Sequence, residues 1–228
     1  MSATTVPLPP GTFRFWQTTV GKKAIMAVTG IILFGFVVGH LAGNLQIYQG
    51  PQKLDHYAEF LRSMGGLLWG TRILLFVSVI LHIWAAFQLW LLQREARPVQ
   101  YVKKANLNST YASRTMYWSG PIVAAFVIFH VLHFTTGTVH PGGEFVAAKV
   151  YQNVVTGFQF WPVSAFYIIA MILLCLHLYH GLWSMIQSLG FSHPVYTPII
   201  QNIAKVLAVM IAVGNISIPV AVLLGYIK

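Results

Sequence analysis

AIMAVTGIILFGFVVGHLAGN, residues 24–44, is the stretch that decides the fold. It holds no lysine, arginine, aspartate or glutamate, and it supplies the ~20 mostly apolar residues a helix needs to cross hydrocarbon. The uncharged run is longer still, from Lys23 to Lys53. The same reading applies further along the chain, between Arg72 and Arg94, Arg114 and Glu144, and Lys205 and Lys228. The interval from Lys149 to Lys205 has room for one helix, a turn and the start of another. Five membrane spans are therefore predicted, at about 22–44, 68–93, 116–139, 162–189 and 198–226, in one transmembrane domain over 1–228.

Composition agrees. The chain is 57% hydrophobic and 8% charged, with a mean hydropathy of +0.68, far from soluble averages and fitted to a lipid bilayer as solvent. Its opening, MSATTVPLPPGTFRFW, lacks the short apolar core and small-residue cleavage site of a secretory signal peptide. Cys175 is the only cysteine, which excludes an intrachain disulfide and a thiolate-bound cluster. There is no C-x-x-C-H for covalent haem attachment. Local signals fit the spans: Pro162 suits a first helical turn, Gly190, Pro194 and Pro198 punctuate a short loop, and Pro219 is expected to kink the fifth span. Trp16, Trp69, Trp118 and Trp161 fall near span ends, where amphipathic rings favour the interface. Gly35 and Gly39 form a G-x-x-x-G, which permits close helix packing or close approach of a flat cofactor.

The formal charge of +10 would point to nucleic acid in a soluble protein, but here its distribution carries the meaning, and no nucleic-acid partner is expected. Arg14, Lys22 and Lys23 precede the first span. Arg94, Arg97, Lys103, Lys104 and Arg114 lie between the second and third, against Glu95 alone. The opposite loops carry Lys53 and Arg62 with Asp55 and Glu59, and Lys149 with Glu144. By the positive-inside rule the N-terminus is cytoplasmic and the C-terminus outside.

Nine histidines are many for this chain, and His40, His82, His130, His133, His177 and His180 fall within predicted spans. A single such histidine could simply bond a carbonyl on a neighbouring helix. Four successive helices each carrying at least one call for more, because an ionisable group is costly in hydrocarbon without a partner. Neutral imidazole ligates iron, and a six-coordinate haem takes two from opposite faces at one depth. At 1.5 Å rise per residue, His40 is ~25 Å from the cytoplasmic boundary and His130 ~24 Å, whereas His82 is ~18 Å and His177 ~15 Å from it. Two layers result, His40 with His130 and His82 with His177. Short matches agree: FVVGHL at 36–41 with FVIFHV at 126–131, LHIW at 81–84 with LHLY at 176–179. Histidines three apart share one helix face and cannot clamp one iron from both sides. His133 and His180 are thus expected as polar neighbours, bonding a propionate, a quinone or backbone. Arg114 is a candidate for a haem propionate, or an ordinary topology-setting charge.

On VGKKAIMAVTG leading into GHLAGN, YASRTMYWSG at 111–120 and HLYHGLWSMIQSLG at 177–190, the chain resembles the b558-type cytochrome b subunits of succinate dehydrogenases and fumarate reductases. The resemblance implies an all-α bundle of five transmembrane helices with two haems b between the first four, ligated by His40 with His130 and His82 with His177. It also implies a bacterial cytoplasmic membrane, a flavoprotein and an iron–sulfur subunit as partners, and quinone as substrate, with menaquinone favoured. The expected role is then the membrane anchor of a succinate:quinone oxidoreductase, working towards succinate oxidation or fumarate reduction. The chain itself has no nucleotide-cradling loop and no cysteine set for a cluster, so no dicarboxylate site is expected in it. Asp55, His56 and Glu59 are candidate proton-exchange groups for quinone at the outer side, or a solvated loop face. A different class, a proton-coupled transporter with a histidine relay, would better fit paired repeats and a buried carboxylate, and the chain shows neither.

Overall fold

The computed structural model describes residues 14–96, 99 and 109–228. Among them it has seven α-helices and no strand: α1 (Thr19–Asn44), α2 (Pro51–Ser63), α3 (Gly66–Glu95), α4 (Tyr111–Val131), α5 (Val150–Gln159), α6 (Trp161–Ser188) and α7 (Tyr196–Leu223). Five of them, α1, α3, α4, α6 and α7, are long and apolar enough to cross a membrane, which makes this a multi-pass membrane protein with five such helices among the described residues. An odd number of crossings places Arg14 and Lys228 at opposite ends of the bundle. We call the end where α1 starts the near end.

The long helices start one to five residues earlier than their apolar runs, at 19, 66, 111, 161 and 196. Capping explains two of these starts. Thr18 Oγ1 accepts the Gly21 N–H at 2.9 Å and Thr110 Oγ1 accepts the Ser113 N–H at 3.1 Å. Each satisfies a backbone donor that a helix start leaves open, so the helix extends into polar sequence. Pro162 sits in the first turn of α6 as expected, and Gly190 follows its end at φ +94°, a left-handed conformation suited to glycine. Pro219 lies buried within α7. Trp16, Trp69, Trp118 and Trp161 are all more than half exposed at or near helix starts. Arg97, Lys103 and Lys104 lie outside the described residues.

Two helices were not expected. α2 and α5 occupy what read as loops, since at 13 and 10 residues they are too short to show as apolar runs. Each is amphipathic and buries one face, Leu54 on α2 and Val155, Gly157 and Phe158 on α5. They pack against each other across the far end of the bundle, and α5 also packs on α6 and α7. Asp55 Oδ1 accepts the Tyr151 N–H at 2.9 Å, placing a carboxylate on the first turn of α5, where the helix dipole favours it. Gly43 seats α2 on α1, because a Cβ there would stand 2.6 Å from the Tyr57 ring.

α1 and α6 pack together at the centre, α3 flanks α1, α4 flanks α6, and α7 backs α6. Two apolar clusters hold this arrangement, one around Phe126, Phe158, Tyr167 and Met171 at the far half, the other around Leu178, Leu182, Ala204 and Ala208 at the near half. Among the described residues α3 and α4 do not pack along their lengths, and the diagonals α1 to α4 and α3 to α6 approach each other far less than the neighbouring helices do. The glycine pair Gly35 and Gly39 makes no helix contact: a Cβ on either would meet nothing within 4 Å. Helix packing is therefore not what this G-x-x-x-G does within the chain.

Candidate functional site

The histidines meet across those diagonals. His40 of α1 and His130 of α4 have ring centroids 5.7 Å apart at an interplanar angle of 86°. His82 of α3 and His177 of α6 are 6.3 Å apart at 55°. Neither pair comes from one helix, and neither includes His133 or His180.

Their levels follow from neighbours on α1 and α6. Thr29 bonds His82, and a Cβ on Gly30 would stand 3.6 Å from the His82 ring, so the His82 layer lies level with Thr29 and Gly30. His40 is ten residues beyond Gly30, a rise of ~15 Å. On α6, Tyr167 bonds His130 and His177 is ten residues further, again ~15 Å. The near layer is His82 with His177, the far layer His40 with His130. Charge spacing in sequence implied a separation of only ~7–9 Å. That arithmetic took Lys23 and Arg94 as one level, whereas Lys22 Nζ donates to Gln88 Oε1 at 3.3 Å, which sets the start of α1 against a point six residues before Arg94.

One ring in each layer is anchored by a hydroxyl on another helix. Thr29 donates its own proton to the Ile25 carbonyl at 2.7 Å. Its oxygen is left to accept the His82 Nδ1–H at 3.1 Å, which fixes the tautomer and leaves Nε2 with a free lone pair. In the far layer the Tyr167 hydroxyl lies 3.2 Å from His130 Nδ1 and 3.0 Å from His133 Nδ1. Among the described residues the other two rings lack such anchors: His40 stacks on Phe36 at 5.2 Å, and the buried His177 Nδ1 has no hydrogen-bond partner.

Such pairs are suited to holding a metal that takes its other ligands elsewhere. Imidazole nitrogen binds first-row metals at about 2.0–2.1 Å, so two rings facing one ion have centroids on the order of 6 Å apart. Among the described residues no three His, Cys, Asp or Glu side chains converge, so the protein offers two nitrogens per layer and no cage. That donor set would fit a haem, which takes two histidine nitrogens on one iron. Gly30 and Gly120, each ten residues towards the near end from a far-layer histidine, fall at the level of the near layer, and a Cβ on Gly120 would meet nothing within 4 Å.

The remaining sequence candidates are dispersed. His133 is fully buried and stacks on Phe134 at 3.8 Å, with Nε2 unpartnered. His180 Nδ1 and Trp183 Nε1 are both buried and unpartnered, their rings 5.4 Å apart one turn beyond His177. These two unmet polar atoms would suit a carboxylate or carbonyl of a bound group. Arg114 is exposed in the first turn of α4, 16 residues from His130 and so ~9 Å beyond the near layer. Asp55 is engaged with α5, while Glu59, one turn on, is exposed. His56 lines a cavity of about 120 Å³ with Gln46, Lys53, Tyr57 and Phe60 at the far end.

Sequence reasoning missed Thr29, Tyr167, Trp183 and Arg72. Arg72 limits the uncharged run but falls inside the expected span 68–93, and it lies inside α3 with its guanidinium 5.1 Å from the Trp69 ring, ten residues from His82 and hence near the far layer. The available signal was an isolated cation within an otherwise apolar helix. Nothing local marked Thr29 or Tyr167, whose roles depend on the register between helices. Comparison with known proteins adds no relative: no family model, no curated protein and no solved structure matches the chain.

Proposed function

We propose that the chain is the membrane-anchor cytochrome b subunit of a succinate:quinone oxidoreductase in a bacterial cytoplasmic membrane. In this reading it passes electrons between an iron–sulfur subunit, itself joined to a flavoprotein, and quinone through two haems b. The observation that carries the reading is the pair of histidine layers, each built from two helices that face across a diagonal of the bundle, ~15 Å apart in height.

Bound haem would supply one-electron carriage at two depths, which side chains alone do not provide. The residues of the chain hold and shape the sites. His40, His82, His130 and His177 would hold the iron; Thr29 and Tyr167 orient one ring per layer; Gly30, Gly35 and Gly39 leave room along α1. His180 and Trp183 offer polar atoms to a propionate near the inner layer, with Arg114 and Arg72 as the cations towards either end.

With the N-terminus cytoplasmic, the far layer is the outer one. Quinone would react beside it, near the small cavity lined by Lys53, His56 and Tyr57 on α2, the helix that also carries the exposed Glu59. Groups of this kind exchange protons with water as quinol forms or decays. Menaquinone is the favoured quinone. The test is a reduced-minus-oxidised visible spectrum of the purified chain with a haem determination. Two bis-histidine haems b are expected, and a chain free of haem when produced with haem supply refutes the reading.

A further inference from the structure

The two anchoring hydroxyls differ in what stands behind them. Thr29 ends on a backbone carbonyl of its own helix. Tyr167 instead lies between two imidazoles, His130 Nδ1 at 3.2 Å and His133 Nδ1 at 3.0 Å. A phenol has one proton, so at least one of these histidines donates to its oxygen. For His130 to turn a lone pair at Nε2 towards His40, its proton resides on Nδ1 and goes to Tyr167. The Tyr167 O–H then has His133 Nδ1 as its acceptor. A chain of donors in which each accepts as it gives is polarised along its length, which makes the phenol oxygen a stronger acceptor for His130.

His133 is built in for this task. It is fully buried, lies flat on Phe134, and its backbone carbonyl takes a bond from His140 Nδ1 at 3.2 Å. A Cβ on Gly157 would stand 2.7 Å from His133 Nε2, so α5 approaches the ring closely only because that residue is glycine. The chain here forms a π-helical turn, Leu132–Thr136, a widening frequently found at functional sites. A buried imidazole with one nitrogen unpartnered among the described residues is costly as mere packing, and its other nitrogen meets Tyr167.

We propose that Tyr167, held by His133, is a positioning residue for His130 that tunes the outer metal centre alone. Accepting the Nδ1–H makes the imidazole a more basic ligand, which favours oxidised iron and lowers the midpoint potential of that centre. The proposal rests on the two-haem reading of the same site.

The experiment is a redox titration of the haem-loaded protein, followed by visible absorbance, for Tyr167→Phe, His133→Leu and Thr29→Val. Tyr167→Phe is expected to raise one of the two midpoint potentials and leave the other unchanged. His133→Leu, which does not touch His130 directly, should raise the same one by less. It stands in if Tyr167→Phe does not accumulate. Thr29→Val should move the other potential. Two haems at wild-type potentials in both Tyr167→Phe and His133→Leu, or equal shifts of both haems, would overturn the proposal while leaving the two-haem reading intact. Absence of haem from the wild-type chain overturns that reading itself, and the proposal with it.

Discussion

Thr29→Val isolates one hydrogen bond. Valine replaces the hydroxyl by a methyl of similar size, so no cavity opens, and the two residues have similar helix propensities. Thr29 is buried and its proton already serves the Ile25 carbonyl, so the loss falls on the partly buried His82 Nδ1–H, 3.1 Å away, for which the Met26 carbonyl on the same helix as Thr29 is a second, weaker acceptor. Leaving a buried donor unpaired costs about 1–3 kcal/mol, and 1.4 kcal/mol is a factor of ten in an equilibrium constant. Losing an outer partner of a metal-bound histidine lowers metal affinity by about 10–100-fold, the same range. The assay is haem content of the purified protein challenged with increasing amounts of a haem-scavenging protein. One of the two haems should leave about 10–100-fold more readily in Thr29→Val, with the other unaffected. Thr29→Ser keeps the oxygen and should behave close to wild type. Equal retention of both haems in Thr29→Val and wild type would refute the argument that this hydroxyl orients His82.

Replacing His82 or His177 by alanine should remove one and the same haem signal, and replacing His40 or His130 the other. Loss of ligation on replacing His133 with His130 intact would contradict the pairing in the structure. Gly157→Ala brings a methyl against His133 and should cost about 1–3 kcal/mol, the range for overpacking a tight interior, read as a lower midpoint of thermal unfolding in detergent; an unchanged midpoint would show that α5 can move aside. Glu59→Gln should slow quinone turnover at unchanged haem content, and it is a cleaner probe than Asp55, whose replacement also unseats α5. A reporter active only in the cytoplasm, fused after Lys228, should be silent, whereas activity would invert the orientation drawn from the basic residues.

Much of this protein is written in short-range chemistry. Spans of apolar residues between charges reveal how many helices cross, because the cost of a charge in hydrocarbon depends on one residue and its depth, and needs no knowledge of neighbours. Histidines in four of those spans stand out for the same reason, and depth counted along each helix is enough to sort them into the two pairs that the structure brings together, His40 with His130 and His82 with His177. Contacts between helices are another matter. The offset between α1 and α3, set by Lys22 against Gln88, doubles the layer spacing that charges alone implied. α2 and α5 escaped notice because ten or so amphipathic residues become helix only by burying a face on something already folded. Thr29 and Tyr167 gain their meaning in the same way. A hydroxyl has no preference for a histidine fifty-three or thirty-seven residues away in sequence until packing fixes the rotation and height of two helices, and that registration belongs to the bundle as a whole.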